Sequence, residues 1–285
     1  MRIRIDLAYD GTDFSGWARQ PGRRTVEEEL GRALTTVLRR SEVRLTVGGR
    51  TDAGVHARGS VCHLDLDPDE WAAVTGRSAR VPAEALVSRL RGVLPPDVVV
   101  RSAREVPDTF DARFSAVRRR YTYRLCDDPT RLDPLRRRDT VVWRHRLDEE
   151  AMTVAVDGLV GLHDFGAYCR PREGASTVRH LQSYRWERDD DGTLRATLVA
   201  DAFCHSMVRA LVGGAVAVGE GRWPTTWPRE VLERGVRDPG VQVMPAHGLC
   251  LEAVEYPDTD EARAARAAES RAVRGPVHGP GRDAR

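Results

Sequence analysis

Residues 43–66 read VRLTVGGRTDAGVHARGSVCHLDL, and the reading of this stretch decides the fold. Val43–Val47 is predicted as a strand, Gly48 to Gly54 as a glycine-rich turn, and the following residues as a second strand alternating through Cys62, Leu64 and Leu66. Three glycines and an alanine keep the turn compact and allow close approach of a ligand. The same turn carries Arg50, Thr51 and Asp52 and ends at His56. An aspartate in such a turn ordinarily hydrogen-bonds its own backbone. A carboxylate presented to a ligand is the alternative reading of the same residues.

On the N-terminal side, Ile3, Ile5, Leu7 and Tyr9 alternate in a strand that stops at Asp10-Gly11. Thr25 and Glu28 suggest a capping box for a helix with a stripe through Val26, Leu30, Ala33, Leu34, Val37 and Leu38. Pro82 to Leu94 reads as another helix and Val98–Val100 as a strand. The second half repeats the theme without sequence repetition. Tyr121, Tyr123 and Leu125 alternate, and Asp148 caps a helix carrying Met152, Val156 and Leu159. Two long strands cover Val178–Trp186 and Leu194–Ala200, a helix runs from His205 to about Gly219, and Leu249–Glu255 forms a last strand. Strands and helices in this order, without repeated βαβ units, predict an α+β fold with antiparallel or mixed sheets. The expected division is an N-terminal domain over 1–105, a C-terminal domain over 106–257, and a tail over 258–285 too poor in apolar residues to order.

Composition removes several chemistries. The chain has 285 residues with neither lysine nor asparagine, so all 45 basic residues are arginine, against 43 acidic ones. Schiff-base and pyridoxal chemistry, a P-loop lysine, a Cys-His-Asn triad and N-glycosylation are therefore excluded. Five well-separated cysteines with no Cys-x-x-Cys pair argue against a zinc site and for a reducing cytoplasm. The N-terminus interleaves charged and apolar residues, unlike a signal peptide, and no apolar run is long enough to span a membrane.

Charge is uneven. Arg101 to Arg146 holds 13 arginines and 7 acids, including Arg118-Arg119-Arg120 directly before Tyr121. An arginine stripe with adjacent aromatics suits a nucleic-acid backbone and its bases, although a solvated surface has the same composition. In Phe203-Cys204-His205-Ser206-Met207-Val208-Arg209, the residues after Met207 are apolar or glycine except Arg209. A helix apolar all round is buried, so Arg209 is expected to be a buried cation needing a carboxylate from elsewhere in the chain. His205 falls one turn before Arg209 on the same expected face.

Six motifs in order resemble the TruA family of tRNA pseudouridine synthases. They are Tyr9-Asp10-Gly11 with Phe14, Gly16 and Trp17; Gly49 to His56; Phe110 with Ala112 to Ala116; Arg119-Arg120-Tyr121 with Tyr123; Phe203 with His205 and Met207 to Arg209; and Gly248-Leu249. The likeness runs from the first strand to about Pro257 and implies two similar α+β subdomains meeting at a basic cleft. It implies that uridine is isomerised to pseudouridine in the anticodon stem-loop of tRNA, at positions 38, 39 and 40, by a cytoplasmic homodimer without cofactor or metal. Asp52 corresponds to the nucleophile, Tyr121 to a tyrosine stacking on the extruded base, and Arg209 to the partner of the catalytic carboxylate. Arg50 corresponds to a residue that helps to extrude the nucleotide, a step required because a stacked uridine hides its glycosidic bond. Arg119, Arg120, His56, His205 and Leu249 complete the expected substrate contacts, His56 as a loop or RNA-contacting residue rather than a general base. Arg91, Asp201 and Ala210 stand where the family is expected to have asparagine. A non-catalytic RNA-binding module on the same sheet is the alternative. A glycoside hydrolase is less suited, because it normally uses two carboxylates and no second acid accompanies Asp52 in its loop.

Overall fold

The structure is a computed structural model and describes residues 1–170, 174 and 176–271. In chain order the elements are β1 (Arg2–Tyr9), α1 (Val26–Leu38), β2 (Thr46–Val47), β3 (His56–Asp65), α2 (Pro68–Ala73), α3 (Pro82–Arg91), β4 (Val98–Val106) and β5 (Arg118–Cys126). There follow β6 (Val141–Val142), α4 (Glu149–Asp157), β7 (Gly161–Asp164), β8 (Val178–Arg188), β9 (Leu194–Ala200), α5 (Met207–Gly219), α6 (Trp227–Arg234), β10 (Leu249–Glu255) and α7 (Asp260–Arg271). This is the expected mixed α+β chain, its strands mostly antiparallel.

The residues form two compact units, one of Met1–Arg119 with Cys250–Arg271 and the other of Arg120–Leu249. The division thus falls at Arg119, not at 105/106, and the chain returns to the first unit at Cys250. Packing explains this. The Phe110 ring lies 4.8 Å from that of Tyr256, the Val117 amide donates to the Glu255 carbonyl, and β10 pairs in parallel with β3 through Cys250 and Leu251.

In the first unit the strand order is β4-β1-β3-β10, with β2 on β3. Ile3, Ile5, Leu7 and Tyr9 are all buried, as the alternation of β1 requires. Each contributes roughly 1.5–3 kcal/mol of burial free energy if fully removed from water. Thr25 caps α1 by accepting from the Glu28 amide, and Val26, Leu30, Ala33 and Leu34 form its buried stripe. The helix at Pro82 stops at Arg91, three residues short of expectation, because Gly92 caps it and leaves Val93 exposed. The tail expectation fails over Asp260–Arg271, which forms α7. Ala267 is buried there, Arg266 donates to the Ala116 carbonyl, and Arg271 pairs with Asp111 at 3.0 Å. Residues 272–285 of that expected tail lie outside the described residues.

In the second unit the order is β5-β9-β8-β7, with β6 on β5. Asp148 caps α4 by accepting from the Ala151 amide, as its sequence position suggests. Every α5 residue except Arg209 is buried. The helix lies so close to a neighbouring strap that a Cβ on Gly213 would meet the Gln242 carbonyl oxygen at 1.8 Å.

Candidate active site

The turn singled out in the sequence is held from several sides within the first unit. The Val55 amide donates to the Asp52 carbonyl, closing a turn over Asp52-Ala53-Gly54-Val55, and Gly54 takes the left-handed φ of 77° that this turn needs. The Gly54 amide donates to Phe14, and the Trp17 amide to the Thr51 carbonyl. The Tyr9 hydroxyl and Thr51 Oγ1 are 2.8 Å apart and buried. Tyr9, Phe14 and Trp17 are all buried and wall this loop, while Thr12 and Asp13 between them are exposed. Asp52 itself is half-buried, and Arg50 and Ala53 are exposed. A carboxylate on a pinned turn, partly open to solvent, has the access that a reacting group requires.

His56 opens β3 and is buried. Its Nδ1 accepts from the Gly11 amide at 3.0 Å and also lies 3.1 Å from Asp10 Oδ1. The ring ties the end of the loop to Asp10-Gly11. Of the two roles expected for His56, loop residue or RNA contact, these bonds fit the first.

Arg119 departs further from expectation. In β5 the side chains alternate, so Arg118 and Arg120 are exposed while Arg119 is buried. Its guanidinium donates through Nε and Nη2 to the Gly48 carbonyl at 3.0 and 2.6 Å, and through Nη2 to the Arg113 carbonyl at 2.7 Å. Three consecutive arginines suggest a surface stripe, and the strand alternation turns the middle one inward.

In the second unit Tyr121 is buried against Phe203, the rings meeting edge to face at 5.2 Å. Tyr123 lies two residues on, fully buried, and donates to the Pro245 carbonyl at 3.0 Å. Burial drives the Tyr123 phenol well above its usual range, against an opposing effect of Arg209. Arg209 is half-buried, not fully enclosed as the all-apolar helix suggested. Its Nε donates to the Met244 carbonyl and its own carbonyl accepts from the Met244 amide at 3.2 Å. The strap of Met244 to Gly248 therefore runs over both Tyr123 and Arg209, a feature with no sequence signal beyond Gly248-Leu249. Leu249 is buried at the start of β10.

His205 precedes α5, which begins at Met207, so it is not on the Arg209 face of a continuous helix. Its side chain is exposed. Between them Ser206 has a left-handed φ of 62°, a conformation costing a non-glycine residue about 1 kcal/mol or more and concentrated at functional sites. Of the expected site residues, then, Arg50, Asp52, His56 and Arg119 gather on or behind one loop of the first unit. Tyr121 and Arg209 border the packed region of the second unit around Tyr123 and Phe203.

Residues 155–257 match a family described as tRNA pseudouridine synthase. The chain is 55% identical over 277 residues to tRNA pseudouridine synthase A of Streptomyces griseus, covering 96% of this chain and 94% of that one. It is also 55% identical to the Frankia casuarinae protein of that name, covering 97% and 96%, and 51% identical to that of Cutibacterium acnes, covering 96% and 95%. The chain belongs to the tRNA pseudouridine synthase A (TruA) family, whose members are isomerases. Among solved structures, a chain of a Cbf5-Nop10-Gar1 complex aligns with TM-score 0.31 and 10% identity, covering 76% of this chain and 54% of that one.

Proposed function

We propose that this protein isomerises uridine to pseudouridine in the anticodon stem-loop of tRNA, at positions 38, 39 and 40, with Asp52 as the nucleophile. The observation that carries the reading is the half-buried Asp52 carboxylate on a turn whose backbone is pinned on both sides, in a chain of this family. The Asp52 carboxylate attacks C1′ of an extruded uridine and the N1–C1′ bond breaks, its electron pair leaving with the uracil. The uracil rotates, C5 displaces the carboxylate from C1′, and C5 loses its proton while N1 gains one. The sum is an isomerisation, so atoms balance without a co-reactant, and the reaction as written calls for no metal or cofactor. Proton removal at C2′ followed by a glycal uses the same carboxylate as a base. Deuterium at C2′ slows that route alone.

Arg50 is exposed on the same loop and takes the place of the extruded nucleotide. Tyr121 stacks on the base, and Arg209 corresponds to the family's partner of the catalytic carboxylate. Exposed Arg120 and His205 contact the RNA backbone, Leu249 borders the base, and His56 acts by fixing the loop. The working assembly is a cytoplasmic homodimer. No helix among the described residues is long and apolar enough to cross a membrane.

The test is incubation of wild type and Asp52→Ala with an unmodified tRNA transcript, followed by mapping of pseudouridine. Wild type is expected to modify the anticodon arm and Asp52→Ala to fall by at least about a thousandfold, as expected when a nucleophile is removed. Normal modification by Asp52→Ala refutes the mechanism. Release of free uracil marks a hydrolase, and an unimpaired Arg209→Leu removes Arg209 from the chemistry.

A further inference from the structure

We propose that Arg119 is a positioning residue for the Asp52 loop, acting from inside the protein on the Gly48 carbonyl instead of on RNA phosphate. The inference rests on the reading of Asp52 as the reacting group. Arg119 is 8% exposed, which leaves little of its charge available to a polyanion outside. Its guanidinium spans three backbone carbonyls, those of Gly48, Arg113 and Ala116 (the last at 3.5 Å). Arg266 of α7 donates to the same Ala116 carbonyl at 3.3 Å, and Arg271 of α7 pairs with Asp111, so the Phe110–Ala116 loop is itself braced from behind. The Gly48 amide donates to Val61 on β3. Gly48 is thereby fixed at both its N–H and its carbonyl, four residues before Asp52.

The chemistry requires arginine at this position. A guanidinium carries five N–H donors in a planar fork and can place two on one carbonyl while reaching others. A lysine ammonium has three donors on one atom and cannot reproduce that fork. Removing Arg119 lets the loop entry relax, and displacement of a reacting group by about 1 Å can cost about a hundredfold in rate. Binding of tRNA, which depends on exposed arginines, does not change by this route. The sequence places Arg119 and Arg120 side by side, yet the structure predicts opposite kinetic consequences for them.

The experiment uses the full chain with an unmodified tRNA transcript and compares Arg119→Ala, Arg119→Lys and Arg120→Ala. Both Arg119 variants are expected to lose about a hundredfold in rate at saturating tRNA, with KM within about twofold. The slope of log affinity against log salt should stay at its wild-type value for them, and shrink by about one phosphate contact for Arg120→Ala. Methylguanidinium should restore part of the Arg119→Ala rate, and methylammonium should not. An independent reading, needing no activity, is amide hydrogen exchange across residues 48–56, which should rise in Arg119→Lys without RNA present. If Arg119→Ala does not fold, Arg119→Lys must give the same split and the same rise in exchange. A raised KM with a shallower salt slope and an unchanged saturating rate makes Arg119 a phosphate contact and overturns the proposal, as does unchanged exchange over the loop. If wild type makes no pseudouridine, the functional reading fails, and the exchange result still decides whether Arg119 holds the loop.

Discussion

The Gly48–His56 loop of the first unit and α5 of the second are both rich in glycine, and they are held by opposite means. In α5, Leu211, Val212 and Val216 are essentially inaccessible, each worth roughly 1.5–3 kcal/mol of burial. Loss of one packing contact there is spread over many neighbours. The loop has no such apolar mass. Its shape rests on a few directed bonds, among them Arg119 to Gly48, Tyr9 to Thr51, Trp17 to Thr51, and Gly11 to His56. A neutral hydrogen bond contributes about 0.5–1.5 kcal/mol net and a charged one about 1.5–3 kcal/mol. The difference teaches that the Asp52 carboxylate, which stays partly accessible, is oriented by polar bracing. Burial does the same for the helix bearing Arg209, where access matters less.

Two close approaches of backbone to glycine let this contrast be broken. A Cβ on Gly213 would lie 1.8 Å from the Gln242 carbonyl oxygen, a backbone atom, on a helix that is buried at every residue but Arg209. Gly213→Val is therefore expected to lose about 3 kcal/mol or more of stability, read as a lower urea midpoint at unchanged slope. A Cβ on Gly11 would lie 2.0 Å from the Val55 carbonyl oxygen, an overlap just as severe. That carbonyl belongs to the pinned turn, so the loop shifts instead of the core. Gly11→Ala is expected to cost about a hundredfold in saturating rate together with about 1–3 kcal/mol of stability. Should Gly11→Ala unfold the protein while Gly213→Val leaves it intact, the assignment of polar bracing to the loop and packing to the helix is reversed.

Much of this was legible in the sequence, for identifiable reasons. The alternation in β1 and the apolar run of α5 fix burial directly, because period and composition dictate which face meets water. Asp148 was readable as a cap because its effect is local. The helix α7 escaped because the groups that hold it, the Ala116 carbonyl for Arg266 and the Asp111 carboxylate for Arg271, lie 150 and 160 residues earlier in the chain. Arg119 escaped for a similar reason. Its three carbonyl partners are backbone atoms, which leave no side-chain signal, and three consecutive arginines look like solvated surface unless strand alternation is applied to them. The degree of burial of Arg209 was overestimated because helix composition does not reveal where a strap such as Met244–Gly248 ends.

Acid supplies the gentlest probe of the comparison, because in the second unit the Asp127 carboxylate is fully enclosed. Asp127 accepts from Arg188 Nη1 at 2.7 Å, Arg188 Nη2 at 3.1 Å, Arg146 at 3.3 Å and the Leu147 amide at 3.0 Å. Burial alone would raise its pKa. The Arg188 hydrogen bonds, the Leu147 amide and the charges of Arg188 and Arg146 outweigh that and hold it below the usual carboxylate value. A folded value below the unfolded one, about 3.9 for aspartate, stabilises the fold above that pH, and the contribution is lost as pH falls through the folded value. In the first unit Asp65 is also held low, chiefly by its hydrogen bond to Arg2, but its side chain is 62% exposed and solvent screens the pair. Below about pH 4 the second unit should therefore loosen before the first. Amide exchange at acid pH should rise earlier around β8 and α4 than around β1 and β3. Asp127→Asn should flatten that acid limb relative to its own stability at pH 7, and an unchanged limb would assign the acid sensitivity to other carboxylates.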